Sequence, residues 1–104
     1  MAEPHKVTVS PEALIEVVRA ATWWREHRPV SPRLFQSELD QALVLIAEFP
    51  AIGTVARSKR VKSARVLQLT RSHYSVFYQV LSLTREVLVL HVRHRSRRSL
   101  NLGP

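Results

Sequence analysis

Apolar positions along the chain follow two periods, helical through the first half and strand-like through the second. Lys6 to Val9 alternates, with Val7 and Val9 on one face and Lys6 and Thr8 on the other, as a short strand does. Ser10-Pro11-Glu12 then opens a helix. Ser10 can cap free backbone N–H groups, Pro11 loses nothing at the first helical position, and Glu12 meets the positive end of the dipole. Leu14, Val17, Val18, Ala21 and Trp24 recur at spacings of three and four and predict one apolar stripe, and Pro29 ends the helix. Ser31-Pro32 repeats the start signal for a second helix carrying Phe35, Leu39, Ala42, Leu43, Ile46 and Phe49. With so short a join, the two helices are expected to lie antiparallel as a hairpin. Pro50 stops the second, and the segment PAIGTV reads as a connector with Gly53 as its flexible point.

Beyond a basic linker, Arg57 to Lys62, three runs rich in Val, Leu, Tyr and Phe predict strands at Val66–Leu69, Tyr74–Leu81 and Val87–Val92. The breaks TRSH and SLTR are short enough for hairpin turns, so these strands form an antiparallel meander. The expected fold class is α+β, in the order β-α-α-β-β-β, with the helical hairpin packed on one face of a twisted antiparallel sheet. At 104 residues the chain suits one domain, 1–104, with a basic C-terminal tail from about residue 93.

Charge changes this picture, because it is segregated. The formal net charge is +8, yet residues 1–56 are slightly acidic, and the second half sets eleven Lys and Arg against Glu86 alone. Such a positive half favours a polyanion or an acidic protein over a basic surface kept for solubility. Zero cysteines remove disulfides and thiolate chemistry. The five histidines show no helical i,i+4 pair and no nearby acids at the C-terminal three, so no metal is expected, and no cofactor, since two glycines make no phosphate loop. The chain lacks a membrane-length apolar run and a signal-peptide core, and it is read as cytoplasmic.

Together these pieces resemble the RelE/ParE toxin superfamily of type II toxin–antitoxin systems. The residues that carry the resemblance are SPEALIEVV after the first strand, the pair Trp23-Trp24, LFQSELDQALVLIAEFPAIG, Arg65 leading the second strand, SHYSVFYQV as the third, and VLVLHVRHRSRR at the end. They span roughly residues 6–98. The resemblance implies a cytoplasmic toxin held inactive by an acidic antitoxin that orders on binding, with Trp23 and Arg65 as antitoxin contacts. RelE-like members cut messenger RNA on the ribosome, whereas ParE-like members inhibit DNA gyrase without a known catalytic site. The third strand, with His73 before it and Phe77-Tyr78 near its end, is closer to the ParE-like pattern.

The alternative is a ribonuclease, which needs a base, an acid and cations for the developing phosphate charge. Its candidates are Arg65, Tyr74, His94 and Arg97, and alternation separates His91 and Arg93 from Val92 and His94. Contacts to the target or to nucleic acid are expected from Lys59, Arg60, Lys62, Arg93, Arg95, Arg97 and Arg98. Each residue also has a plainer role: Tyr78 and Trp24 as core, His94 as a polar surface residue, Arg65 as the partner of a helix carboxylate. A third reading is a binding module that has lost toxicity and acts only with its partner.

Overall fold

In a computed structural model, described here for residues 3–96, strand β1 (Lys6–Val9) leads into helices α1 (Pro11–His27) and α2 (Leu34–Glu48). A single 3-10 turn (Pro50–Ile52) is followed by β2 (Thr54–Val55), β3 (Ala64–Leu69), β4 (Tyr74–Leu81) and β5 (Glu86–His94). The α+β layering is the one expected, and β3, β4 and β5 form the antiparallel meander. The sheet holds five strands in the order β1-β5-β4-β3-β2, and β1 runs parallel to β5. Period-two patterning cannot reveal that parallel pairing, and β2 is too short to announce itself.

Ser10 turns the chain from sheet to helix. Its N–H donates to Val89 O at 2.9 Å and its Oγ to Leu90 O at 3.1 Å, while the same Oγ accepts the Ala13 N–H at 3.1 Å. One residue thus makes the last contacts beyond the β1–β5 ladder and caps α1, as its sequence context suggests.

The second start signal does not act this way. Ser31, Pro32 and Arg33 belong to the connection, closed by Ser31 N–H to Arg28 O and Leu34 N–H to Ser31 O, and α2 begins uncapped at Leu34. Turn and cap signals use the same residue types, and here the turn prevails.

The α1 stripe is rotated from the one expected. Ala13, Ala20 and Trp24 are buried, with Val17 and Ala21 packed against them, whereas Leu14 and Val18 are 55% and 57% exposed. Small alanines let the helix approach the sheet closely and leave the larger side chains outward. On α2, Phe35, Leu39, Ala42 and Ile46 are buried as expected, but Phe49 at the helix end is 59% exposed. The helices meet Leu69, Val76, Tyr78, Val87, Val89 and Val92 of the sheet in one core.

Strand β5 changes phase midway. Phe77 pairs with His91 but Tyr78 pairs with Val89, so Leu90 is an extra residue, a β-bulge. Val87 and Val89 face the helices before the bulge and Val92 after it, and all three are buried. His91 and Arg93 therefore fall on the opposite side from Val92 and His94.

Candidate functional site

The C-terminal end of α1, the connection 28–33, the β3–β4 turn and the end of β5 converge on one end of the sheet. Two hollows lie there, of about 450 and 250 Å³, and they share Trp23 and His94. Trp23 is 42% exposed. It stacks on His27 with centroids 4.8 Å apart and planes 13° from parallel, and Arg28 places its guanidinium carbon 5.6 Å from the Trp23 ring centroid and 5.8 Å from that of Trp24. Tyr74 packs between Phe35, at 4.6 Å, and the edge of His94, at 5.2 Å. His94 Nδ1 lies 2.9 Å from Ser96 Oγ.

Glu16 closes the flank of this region. Past Val9 the strand β1 is gone, and β5 would leave its outer edge unpaired. The Glu16 carboxylate takes that place: it accepts Val92 N–H at 3.0 Å and Arg93 Nε at 2.7 Å, and His91 Nδ1 lies at 3.2 Å. Partial burial alone would raise its pKa, but these hydrogen bonds and the Arg93 charge outweigh it and hold the carboxyl below the ordinary value. The β3–β4 turn is held in a similar way. Glu38 accepts the backbone N–H groups of Arg71 and Ser72 and the Ser72 hydroxyl at 2.7–2.9 Å. Here too burial would raise the carboxyl and the donors lower it, with a net depression.

Arg65 stands elsewhere. It pairs across the ladder with Tyr78, four positions along β4 from Tyr74, or roughly 13 Å at ~3.3 Å per residue. Its guanidinium donates to Gly53 O at 2.7 Å and to Ala51 O at 3.3 Å. Tyr78 works on the same segment: its hydroxyl donates to Pro50 O at 2.7 Å and accepts Gly53 N–H at 2.9 Å. Burial raises the Tyr78 pKa, against the opposing influence of Gly53 and Arg65. Gly53, expected as a flexible point, is instead a packed one. A Cβ there would lie 2.7 Å from both Tyr78 Oη and Val66 O.

The fold thus brings Tyr74 and His94 together and keeps Arg65 from them, so the proposed ribonuclease set is not assembled among the described residues. Arg97 and Arg98 lie outside those residues. Arg93 and His94, expected at the start of a tail, belong to β5, and Arg95 follows in a turn. Lys59, Arg60 and Lys62 sit in the β2–β3 connection, at the sheet end opposite Arg93 and Arg95. The positive half of the sequence therefore forms two clusters rather than one surface. Sequence reasoning missed Glu16, Glu38, Arg28 and Arg71. The first two are acids in the less basic half, and only the tertiary fold shows what they cap.

Residues 7–99 match the sequence model of the ParE toxin of type II toxin–antitoxin systems, parDE. The chain belongs to the ParE toxin family. Solved structures with the same fold include the toxin–antitoxin complex RelBE2 from Mycobacterium tuberculosis, 18% identical, TM-score 0.64, covering 88% of this chain and 99% of that one. A chromosomal ParDE system from P. aeruginosa is 14% identical with TM-score 0.66, covering 89% and 98%. The intact E. coli RelBE complex is 22% identical with TM-score 0.59, covering 86% and 95%. No curated protein sequence matches significantly. The chain is a toxin component of a type II toxin–antitoxin system. Among the described residues no helix is long and apolar enough to cross a membrane, and no group of His, Asp and Glu is placed to hold a metal.

Proposed function

We propose that this ParE family member arrests growth by binding DNA gyrase, acting as a binding protein without bond-breaking chemistry of its own. The observation that carries this reading is the match to the ParE toxin family over residues 7–99. It is supported by the separation of Arg65 from Tyr74 and His94, since a ribonuclease needs its cation and its proton-transfer groups around one phosphate. Induction in bacteria is expected to raise a DNA-damage response, and the purified chain to trap gyrase with cleaved DNA. Normal gyrase turnover with the chain in excess would refute it.

One observation favours a RelE-like alternative, the edge contact of Tyr74 with His94 beside Arg93. Under that reading, replacing Tyr74 or His94 singly abolishes messenger cleavage during arrest, and intact transcripts remove it.

A cognate antitoxin is the partner that keeps the toxin silent. The outward strip of α1, Leu14, Ile15 and Val18, more than half exposed at each position, is an apolar face for an amphipathic antitoxin segment. This strip is a better contact than Arg65, whose guanidinium is occupied by the carbonyls of Ala51 and Gly53. Replacing Leu14 and Val18 by Ser should weaken antitoxin capture while leaving toxicity intact.

A further inference from the structure

We infer that the cleft between the end of α1 and the β3–β4 turn is a binding site for unpaired nucleotides, with a base against the Trp23–His27 stack and the phosphodiester on Arg28 and Arg71. The cleft measures about 450 Å³ and is lined by Trp23, Trp24, His27, Arg28, Arg71 and His94 among others, with no Asp or Glu. Its volume suits a small organic ligand. Its walls combine the two chemistries a single strand requires, flat rings for bases and fixed cations for phosphates.

The cations are not spent internally. Among the described residues the ion pairs are those of Glu16 with Arg93 and His91, so Arg28 rests on two indoles and has no carboxylate. Arg71 lies near Glu38, whose oxygens already accept three other donors. A guanidinium held by aromatic faces is positioned at little entropic cost and remains open to an anion. Trp24, in the same wall, has a buried indole N–H with no partner among the described residues.

The neighbouring hollow continues the track. It shares Trp23 and His94 and adds Tyr74 and the cation Arg19, while Arg93 on its wall is paired with Glu16. A duplex offers phosphates, but its bases are already stacked on each other and cannot use the rings. An acidic peptide would satisfy the cations and leave the Trp23–His27 stack unused. The observations therefore favour a single strand. This site is independent of the gyrase reading, because trapping of gyrase and strand binding are scored by separate assays.

The test is fluorescence anisotropy of the full chain with labelled short oligothymidylate and oligouridylate, competed by unlabelled strand, duplex DNA or polyglutamate. Both single strands are expected to bind, and the tighter one identifies DNA or RNA as the source. Trp23→Ala should weaken binding about tenfold, with most of the loss restored in Trp23→Phe. Arg28→Ala and Arg71→Ala should each flatten the dependence of log affinity on log salt by about 0.7. Trp23 and Arg28 lie on the surface, and circular dichroism checks that the variants fold. Wild-type affinity in Trp23→Ala and Arg28→Ala would overturn the proposal. So would displacement by duplex or polyglutamate as effective as by unlabelled strand, which would make the cleft a general polyanion or acidic-peptide site.

Discussion

Replacing Glu16 with Ala removes three interactions at once from the outer edge of β5: the acceptor for Val92 N–H, the pair with Arg93 and the contact with His91. A hydrogen bond involving a charged group contributes about 1.5–3 kcal/mol net, and a buried donor left unmet costs about 1–3 kcal/mol. Side-chain exposures of 18% for Glu16 and 28% for Arg93 let water replace part of what is lost. A destabilisation of about 2–3 kcal/mol is therefore expected for Glu16→Ala, and about 1 kcal/mol for Glu16→Gln, which keeps an acceptor and loses the charge. At about 4–8 °C per kcal/mol for a domain of this size, the alanine variant should melt roughly 10 °C or more below the parent. The pH dependence has a definite sign. The folded pKa of Glu16 is depressed, so its contribution is complete above the unfolded carboxylate value, about 4.3, and is lost as pH falls through the lower folded value. Urea unfolding followed by tryptophan fluorescence should show the gap between parent and Glu16→Gln widest near neutrality and closing in acid. A gap under about 0.5 kcal/mol at neutral pH, the level of an ordinary surface substitution, would refute the reasoning. So would a gap that stays constant into acid.

Two further sites test the pinning of the turns. Gly53→Ala places a methyl group 2.7 Å from Tyr78 Oη and Val66 O and should cost about 1–3 kcal/mol in a denaturation series, although its backbone angles suit any residue. Tyr78→Phe leaves Gly53 N–H and Pro50 O unmet and should cost a similar amount, about 1–3 kcal/mol; because both act on one contact, the double variant should lose less than the sum. Glu38→Ala frees the N–H groups of Arg71 and Ser72 and should speed hydrogen exchange at those two amides while β5 stays protected, as exchange measured by NMR will show.

The sequence made the element order and most strand limits legible because period and punctuation are local. Ser10 and Pro11 set the start of α1, and the run Tyr74–Leu81 is the strand observed. What it concealed depends on contacts distant in sequence. The parallel pairing of β1 with β5 joins residues about eighty positions apart, and nothing in Val7 or Val87 alone specifies it. Leu14 and Val18 look like core by spacing, but Ala13 and Ala20 fit the closer approach to the sheet. At the candidate site, the core roles of Tyr78 and Trp24 followed from residue type and position. The separation of Arg65 from His94 did not, because the ladder register decides it. Arg28 and Arg71 were hidden for another reason: a solitary arginine in a connection carries no pattern until its neighbours are known.

The extra residue in β5 bears on how members of the family are compared. Before Leu90, odd-numbered positions of the strand look toward the helices; after it, even-numbered ones do. In a relative whose last strand lacks that insertion, the side chain at the same count from the strand's beginning would point away from the cleft, so a His or Arg aligned by simple counting would sit on the wrong surface. Chemical equivalence at this end of the molecule has to be numbered backward from the strand's finish, and a one-residue deletion at Leu90 would straighten the strand while leaving Val92 and His94 on the side of the helices.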